Sequence, residues 1–76
     1  MELTTLQEHL EIAEKQVADV DRQLDEQNAV IQNLKQNHLP TDDAEQQLFI
    51  LTELQSSAIS SRDRLLEEIE LFRSVS

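Results

Sequence analysis

Histidine and carboxylate side chains are the groups in this chain with the most potential for acid–base or metal chemistry. His9 and His38 are the two histidines, and histidine is the side chain suited to proton transfer near neutral pH. His9 lies near the amino terminus, whereas His38 stands two residues before the only proline, Pro40. We therefore expect the two histidines to lie at opposite ends of the molecule, where they cannot form one site.

Asp42 and Asp43 follow His38 closely and are the nearest candidates for metal ligands. However, the chain has no His-x-x-x-His or Glu-x-x-His pattern, which helical metal sites use. Capping of a helix explains the two aspartates better. The chain has no cysteine and no glycine, and no serine, histidine and acidic residue have a spacing that suggests a catalytic triad. The sequence therefore predicts no catalytic, cofactor-binding or metal-binding residue. We expect a protein that is not an enzyme.

A seven-residue repeat of apolar side chains defines the element that carries these groups. One heptad position contains Leu3, Leu10, Val17, Leu24 and Ile31, and the other contains Leu6, Ala13, Val20, Gln27 and Leu34. Such a repeat is typical of a helix that packs along another helix. The abundance of glutamate, glutamine, leucine and alanine favours helix throughout.

The repeat stops at the segment 37–43, which contains signals that end one helix and begin another. Asn37 or His38 is expected to take the left-handed conformation that usually falls to glycine, and Pro40 disfavours helix at Leu39. The prediction is an all-α fold with one domain, residues 1–76. It is an antiparallel coiled-coil hairpin with helix 1 at about 4–37, a turn at about 38–41 and helix 2 at about 42–73.

The apolar stripe of helix 2 is broader than a two-stranded seam requires. It contains Ala44, Leu48, Leu51, Leu54, Ala58, Leu65, Ile69 and Phe72, with Ile59 and Leu66 on one side. Because so broad a face usually contacts more than one neighbour, we expect a homodimer that forms a four-helix bundle. The predicted dimer interface is Ile59, Leu66, Ile69, Ile12 and Val30.

Three polar residues project into the stripe and are predicted to set the register of the two helices. If the turn is centred near 39–40, residue i lies opposite about residue 79 − i, so Gln27 and Gln55 fall at nearly the same height. We expect them to share a hydrogen bond. Arg62 is expected opposite Val17, where its guanidinium would reach Glu14 or Asp21. A ligand contact at the glutamines and an anion site at Arg62 are the alternatives.

Two further groups of residues lie outside the predicted seam. Phe49, with Ile50 beside it, is a possible contact for a partner protein near the turn, or else an ordinary exposed apolar side chain. Ser56, Ser57, Ser60 and Ser61 form a patch of small residues midway along helix 2. Small residues there would let another helix approach closely.

The net charge of −10 restricts the classes of partner. Nucleic-acid binding and docking on anionic membranes both need a basic surface, so we expect neither. No apolar run is long enough to cross a membrane, and the first residues do not resemble a signal peptide. We therefore expect a cytoplasmic protein.

The leading functional hypothesis is a protein–protein interaction or assembly module that uses helix-face packing and an acidic surface, with the partner unknown. The alternative is an acidic inhibitor or nucleic-acid mimic that binds a basic protein. A hairpin dimer that binds structured RNA is a third hypothesis, which the charge disfavours.

The segment between Gln27 and Leu65 resembles a group of small, uncharacterised bacterial helical-hairpin proteins. The matching residues are Gln27, Ile31, Leu34, Thr41, Ala44 and the run Arg62-Asp63-Arg64-Leu65. The group usually has glycine in the turn, where this chain has His38. The resemblance implies a helical hairpin and carries no known activity.

Overall fold

The computed structural model describes residues 2–75 and consists of two long α-helices joined by a short turn. Helix α1 covers Leu3–Gln36 and helix α2 covers Asp42–Ser74. They pack along each other as a rod with extents of 60 × 14 × 14 Å. The predicted all-α, two-helix architecture is confirmed. Met1 and Ser76, which the predicted domain includes, lie outside the described residues.

The contact between the helices follows the heptad repeat of α1. Leu6, Ala13, Val17 and Ile31 are buried there, and Ile69 is buried on α2. The other repeat positions of α1 from Leu3 to Leu34 are half-buried. A seven-residue repeat keeps one narrow stripe on the partner helix along the whole rod, and this stripe is the only core that residues 2–75 form.

Two residues of the predicted apolar stripe of α2, Leu54 and Phe72, are exposed. Half-buried or buried residues alternate at intervals of four and three: Ala44, Leu48, Leu51, Gln55, Ala58, Arg62, Leu65 and Ile69. Leu54, predicted to lie in the stripe, is 51% exposed. Gln55, which the sequence predicts as a polar member of the stripe, is half-buried at the heptad position between Leu51 and Ala58.

The turn is built by the left-handed conformation of His38, as expected for Asn37 or His38. His38 has φ = 57°. Its N–H donates to Lys35 O at 3.1 Å, and the N–H of Leu39 donates to Leu34 O at 2.9 Å. These two hydrogen bonds form a Schellman motif, which satisfies carbonyls at the end of α1. The side-chain amide of Asn37 also donates to Asn33 O at 2.8 Å.

Replacement of His38 by glycine is expected to stabilise the hairpin. The left-handed conformation costs a non-glycine residue about 1–2 kcal/mol, whereas glycine adopts it freely and loses only some unfolded-state entropy. We expect His38→Gly to raise the free energy of unfolding by about 0.5–1 kcal/mol, measured by urea denaturation.

Gln36→Gly is the matched control for this substitution. It introduces the same residue two positions earlier, inside α1, where glycine should destabilise by roughly 1 kcal/mol. Equal losses of stability for both variants would contradict the assigned conformation of His38.

Candidate interaction surfaces

Two grooves run along the hairpin where α1 and α2 meet, and they differ in charge. The acidic groove is lined by Asp21, Leu24, Asp25, Asn28, Leu48, Thr52 and Gln55. The uncharged groove is lined by Gln16, Val20, Leu54, Ser57, Ala58 and Ser61. These are the candidate interaction surfaces of the chain.

The two grooves lie on opposite sides of the seam. Thr52 lines the acidic groove and Leu54 lines the uncharged groove. Side chains two positions apart in an α-helix are separated by roughly 200° of rotation about the helix axis. Thr52 and Leu54 therefore point to different sides of the rod. Residues one heptad away from a groove residue share its side, and this rule assigns the rest of each face.

The acidic groove contains the direct polar link between the helices at mid-length. Gln55 Nε2 donates to Asp21 Oδ1 at 2.8 Å. Gln55 therefore lies opposite Asp21 rather than opposite residue 24, where the predicted pairing would put it.

The predicted hydrogen bond between Gln27 and Gln55 is wrong. Gln27 Nε2 instead donates to the backbone carbonyl of Ala44 at 2.9 Å, which ties α1 to the first turn of α2. Six residues, or roughly 9 Å of helix, separate Gln27 from Asp21, the actual partner of Gln55. Both glutamines are half-buried, and residues 2–75 contain no fully buried polar side chain.

The predicted ion pair of Arg62 with Glu14 or Asp21 is also wrong. The guanidinium of Arg62 pairs with the adjacent Asp63, with Nη2 at 3.0 Å and Nε at 3.2 Å from Oδ1. One third of the Arg62 side chain is exposed. The charge therefore reaches solvent along its own helix, which avoids the cost of an ion buried between the helices.

The five residues of the predicted dimer interface do not share one face. Ile69 is 5% exposed and belongs to the core of the hairpin. Ile59 and Leu66 follow Thr52 by one and two heptads, which places them on the acidic-groove side.

The other two residues, Ile12 and Val30, lie on the uncharged-groove side. Ile12 stands four residues before Gln16, and Val30 follows Gln16 by two heptads. The two pairs therefore lie on opposite sides of the seam, and an interface on one side of the hairpin would contain only one of them.

Phe49 and Ile50, the predicted partner contacts, lie on different sides of the seam. Phe49 is 65% exposed and stands three residues before Thr52, on the acidic-groove side. Ile50 is exposed four residues before Leu54, on the uncharged-groove side. Adjacent residues of a helix point about 100° apart, which is why the two do not form one patch.

Ion pairs of the described residues do not neutralise the carboxylates of the acidic groove. Arg22 lies 3.6 Å from Asp19 and 4.0 Å from Glu26, so its charge is shared by acids outside the acidic groove. Among residues 2–75, neither Asp21 nor Asp25 forms an ion pair. The acidic groove therefore presents its negative charge to solvent.

The histidines do not form a site with the carboxylates. His9 and His38 are both exposed, at opposite ends of α1. Within the described part of the chain, no group of three or more histidine, aspartate or glutamate side chains is arranged to hold a metal ion. Neither α1 nor α2 combines the length and the apolar character of a membrane-spanning helix, over residues 2–75.

Comparison with known proteins adds no identification: no protein-family model, curated protein or solved structure matches the chain. The resemblance to small bacterial helical-hairpin proteins therefore stays a prediction.

Proposed function

We propose that this protein is a non-enzymatic assembly module, a helical hairpin that pairs with a second copy of itself to form a four-helix bundle. The observation that supports the proposal is that more large apolar side chains are exposed than buried. Within residues 2–75, five apolar side chains are buried, whereas ten large ones are exposed. A chain of 76 residues usually gains additional burial from disulfides, a metal or a partner, and this chain has no cysteine.

The uncharged groove is the surface best suited to a second copy. Leu54 lies in it, with exposed Ile50 one turn earlier on α2 and Val30 on the same side of α1. Burial of these side chains would supply the missing apolar contact at roughly 25 cal/mol per Å². Ser57 and Ser61 are small, so they leave room for another helix to approach.

The lining of the uncharged groove is also better suited to a second copy than the lining of the acidic groove, because it carries no charge. The chain has a net charge of −10, and two copies repel each other wherever their carboxylates meet. The uncharged groove contains no ionisable side chain among its lining residues. A two-fold interface is self-complementary, so one such face is sufficient for a dimer.

Leu54→Glu is expected to convert the dimer into a single hairpin. The substitution places a carboxylate from each copy in the middle of the proposed interface, where burial of an unpaired charge is unfavourable. Light scattering coupled to size-exclusion chromatography should give about twice the chain mass of 8.8 kDa for the unaltered protein, and 8.8 kDa for the variant.

Leu66→Glu is the matched control for the choice of face. It makes the same chemical change at an exposed leucine of α2, on the acidic-groove side, and should leave the mass unchanged. An unaltered protein that runs as a single chain would refute self-assembly. A mass lowered by Leu66→Glu alone would move the interface to the other face.

A further inference from the structure

We propose that the acidic groove binds an amphipathic α-helix of a partner protein, with basic residues along one flank of that helix. This inference rests on the proposed role as an interaction module, but it requires no dimer. The apolar face of the partner helix corresponds to the leucines of the groove, and its basic flank corresponds to the aspartates.

The groove contains two accessible apolar side chains among its polar lining residues. Leu24 and Leu48 belong to the seam between the helices, yet both are only half-buried. The groove is therefore a place where two helices leave apolar surface uncovered between them. A third helix laid along it would cover that surface in the way that helix-in-groove recognition uses.

An apolar row on α2 extends this apolar surface toward the open end of the hairpin. Ile59 and Leu66 follow Thr52 at heptad spacing, with Ile59 half-buried and Leu66 exposed. The two apolar side chains are separated by roughly 10 Å along the helix at 1.5 Å per residue. Heptad spacing matches the side chains of a helix that lies parallel to the rod.

The rim on α1 is negatively charged. Asp21 and Asp25 line the groove, and Glu14 stands one heptad before Asp21 on the same side. Arg22, the nearest arginine in sequence, pairs with Asp19 and Glu26 and does not neutralise this rim. A partner helix in the groove therefore has apolar residues facing α2 and lysine or arginine facing α1.

This charge pattern disfavours a second copy of the chain as the occupant. A second hairpin docked through the same groove would bring its own Asp21 and Asp25 toward these carboxylates, and like charges at an interface are costly. A pure mimic of nucleic acid would need the charges but not the apolar side chains. The combination of acidic rim and apolar side chains selects a basic amphipathic helix.

The test uses a synthetic probe peptide of about 21 residues, with leucine at heptad positions and lysine on the flank. A second peptide of the same composition has a scrambled order. Binding to the full chain is measured by fluorescence anisotropy at low and at high salt. We expect the heptad peptide to bind more tightly than the scrambled one, and to retain measurable binding at high salt because apolar burial persists when charges are screened.

Variants with matched net charge locate the binding surface. Glu14→Gln combined with Asp25→Asn removes two charges from the rim and should weaken binding about five-fold at low salt. Glu53→Gln combined with Glu67→Gln removes two exposed charges from the outer surface of α2 and should change affinity less than about two-fold. Leu66→Ser should weaken binding about ten-fold. Leu71→Ser changes an exposed leucine that follows Ser57 by two heptads, away from the acidic groove, and should not weaken binding.

Three results would overturn the proposal: equal affinity for the two peptides, equal weakening by the two charge variants, or loss of all measurable binding at high salt. The mass of each variant is measured under the same conditions. A single-chain protein that binds the peptide in the groove would refute only self-assembly. A dimer that fails to bind would refute only the assignment of the groove.

Discussion

Ile31→Asp is expected to unfold the hairpin. Ile31 is one of the five buried apolar side chains, and it packs near the turn, where Ala44 and Leu48 of α2 line the seam. The substitution removes the apolar burial of an isoleucine and introduces a carboxylate into the same space. The two effects together should cost more than ~4 kcal/mol, whereas the single core of a chain this short rarely supplies more than roughly 3–5 kcal/mol of stability.

Circular dichroism is the direct measurement, because the structure is helical from Leu3 to Gln36 and from Asp42 to Ser74. We expect most of the helical signal to be lost at 25 °C. The matched control is Gln32→Asp, which adds the same charge at the next residue, where the side chain is exposed. A helical signal retained equally by both variants would contradict the placement of Ile31 in the core.

Leu6→Ala is expected to destabilise the protein by about 2–4 kcal/mol. Leu6 is 3% exposed and is the most buried of the five core side chains. Truncation to alanine loses the transfer free energy of three carbons and leaves a cavity that the neighbouring helix fills only in part. The measurement is the midpoint of urea denaturation at fixed protein concentration, because the midpoint of a self-assembling chain depends on concentration.

Leu71→Ala makes the same truncation near the same end of the rod, so fraying of the helix ends affects both positions. Leu71 is 67% exposed, and its truncation should cost less than about 0.5 kcal/mol. A loss at Leu71 as large as that at Leu6 would show that the outer surface of α2 is covered in solution.

The sequence was sufficient to predict the elements of this fold because helix formation depends on local features. The heptad repeat from Leu3 to Leu34, the interruption at Pro40 and the charged start of α2 at Asp42 each act within a few residues. The local signals around Pro40 also predict that Asn37 or His38 takes the left-handed conformation. No distant contact was needed for any of these predictions.

The candidate surfaces were predictable only in part. The broad apolar face of α2 indicated surplus apolar area, and the structure has Ile59 half-buried and Leu66 exposed. The exposure of Leu54 was missed, although the alternation of four and three residues from Leu51 to Gln55 to Ala58 was a signal that could have revealed it. The exposed apolar side chains lie on two opposite sides of the hairpin. The side on which each one lies can be assigned only once the position of the seam is known.

The tertiary structure decided how the two helices are paired and which polar groups meet. A shift of the pairing by three residues changes no helix propensity and little apolar burial, so the sequence pattern tolerates both alignments. The packed helices place Gln55 against Asp21 and Gln27 against the carbonyl of Ala44. The partner of Arg62 was decided in the same way, because a flexible side chain pairs with whichever carboxylate the packed helices leave within reach. Local composition thus determined the helices and their turn, whereas the geometry of packing determined the grooves between them.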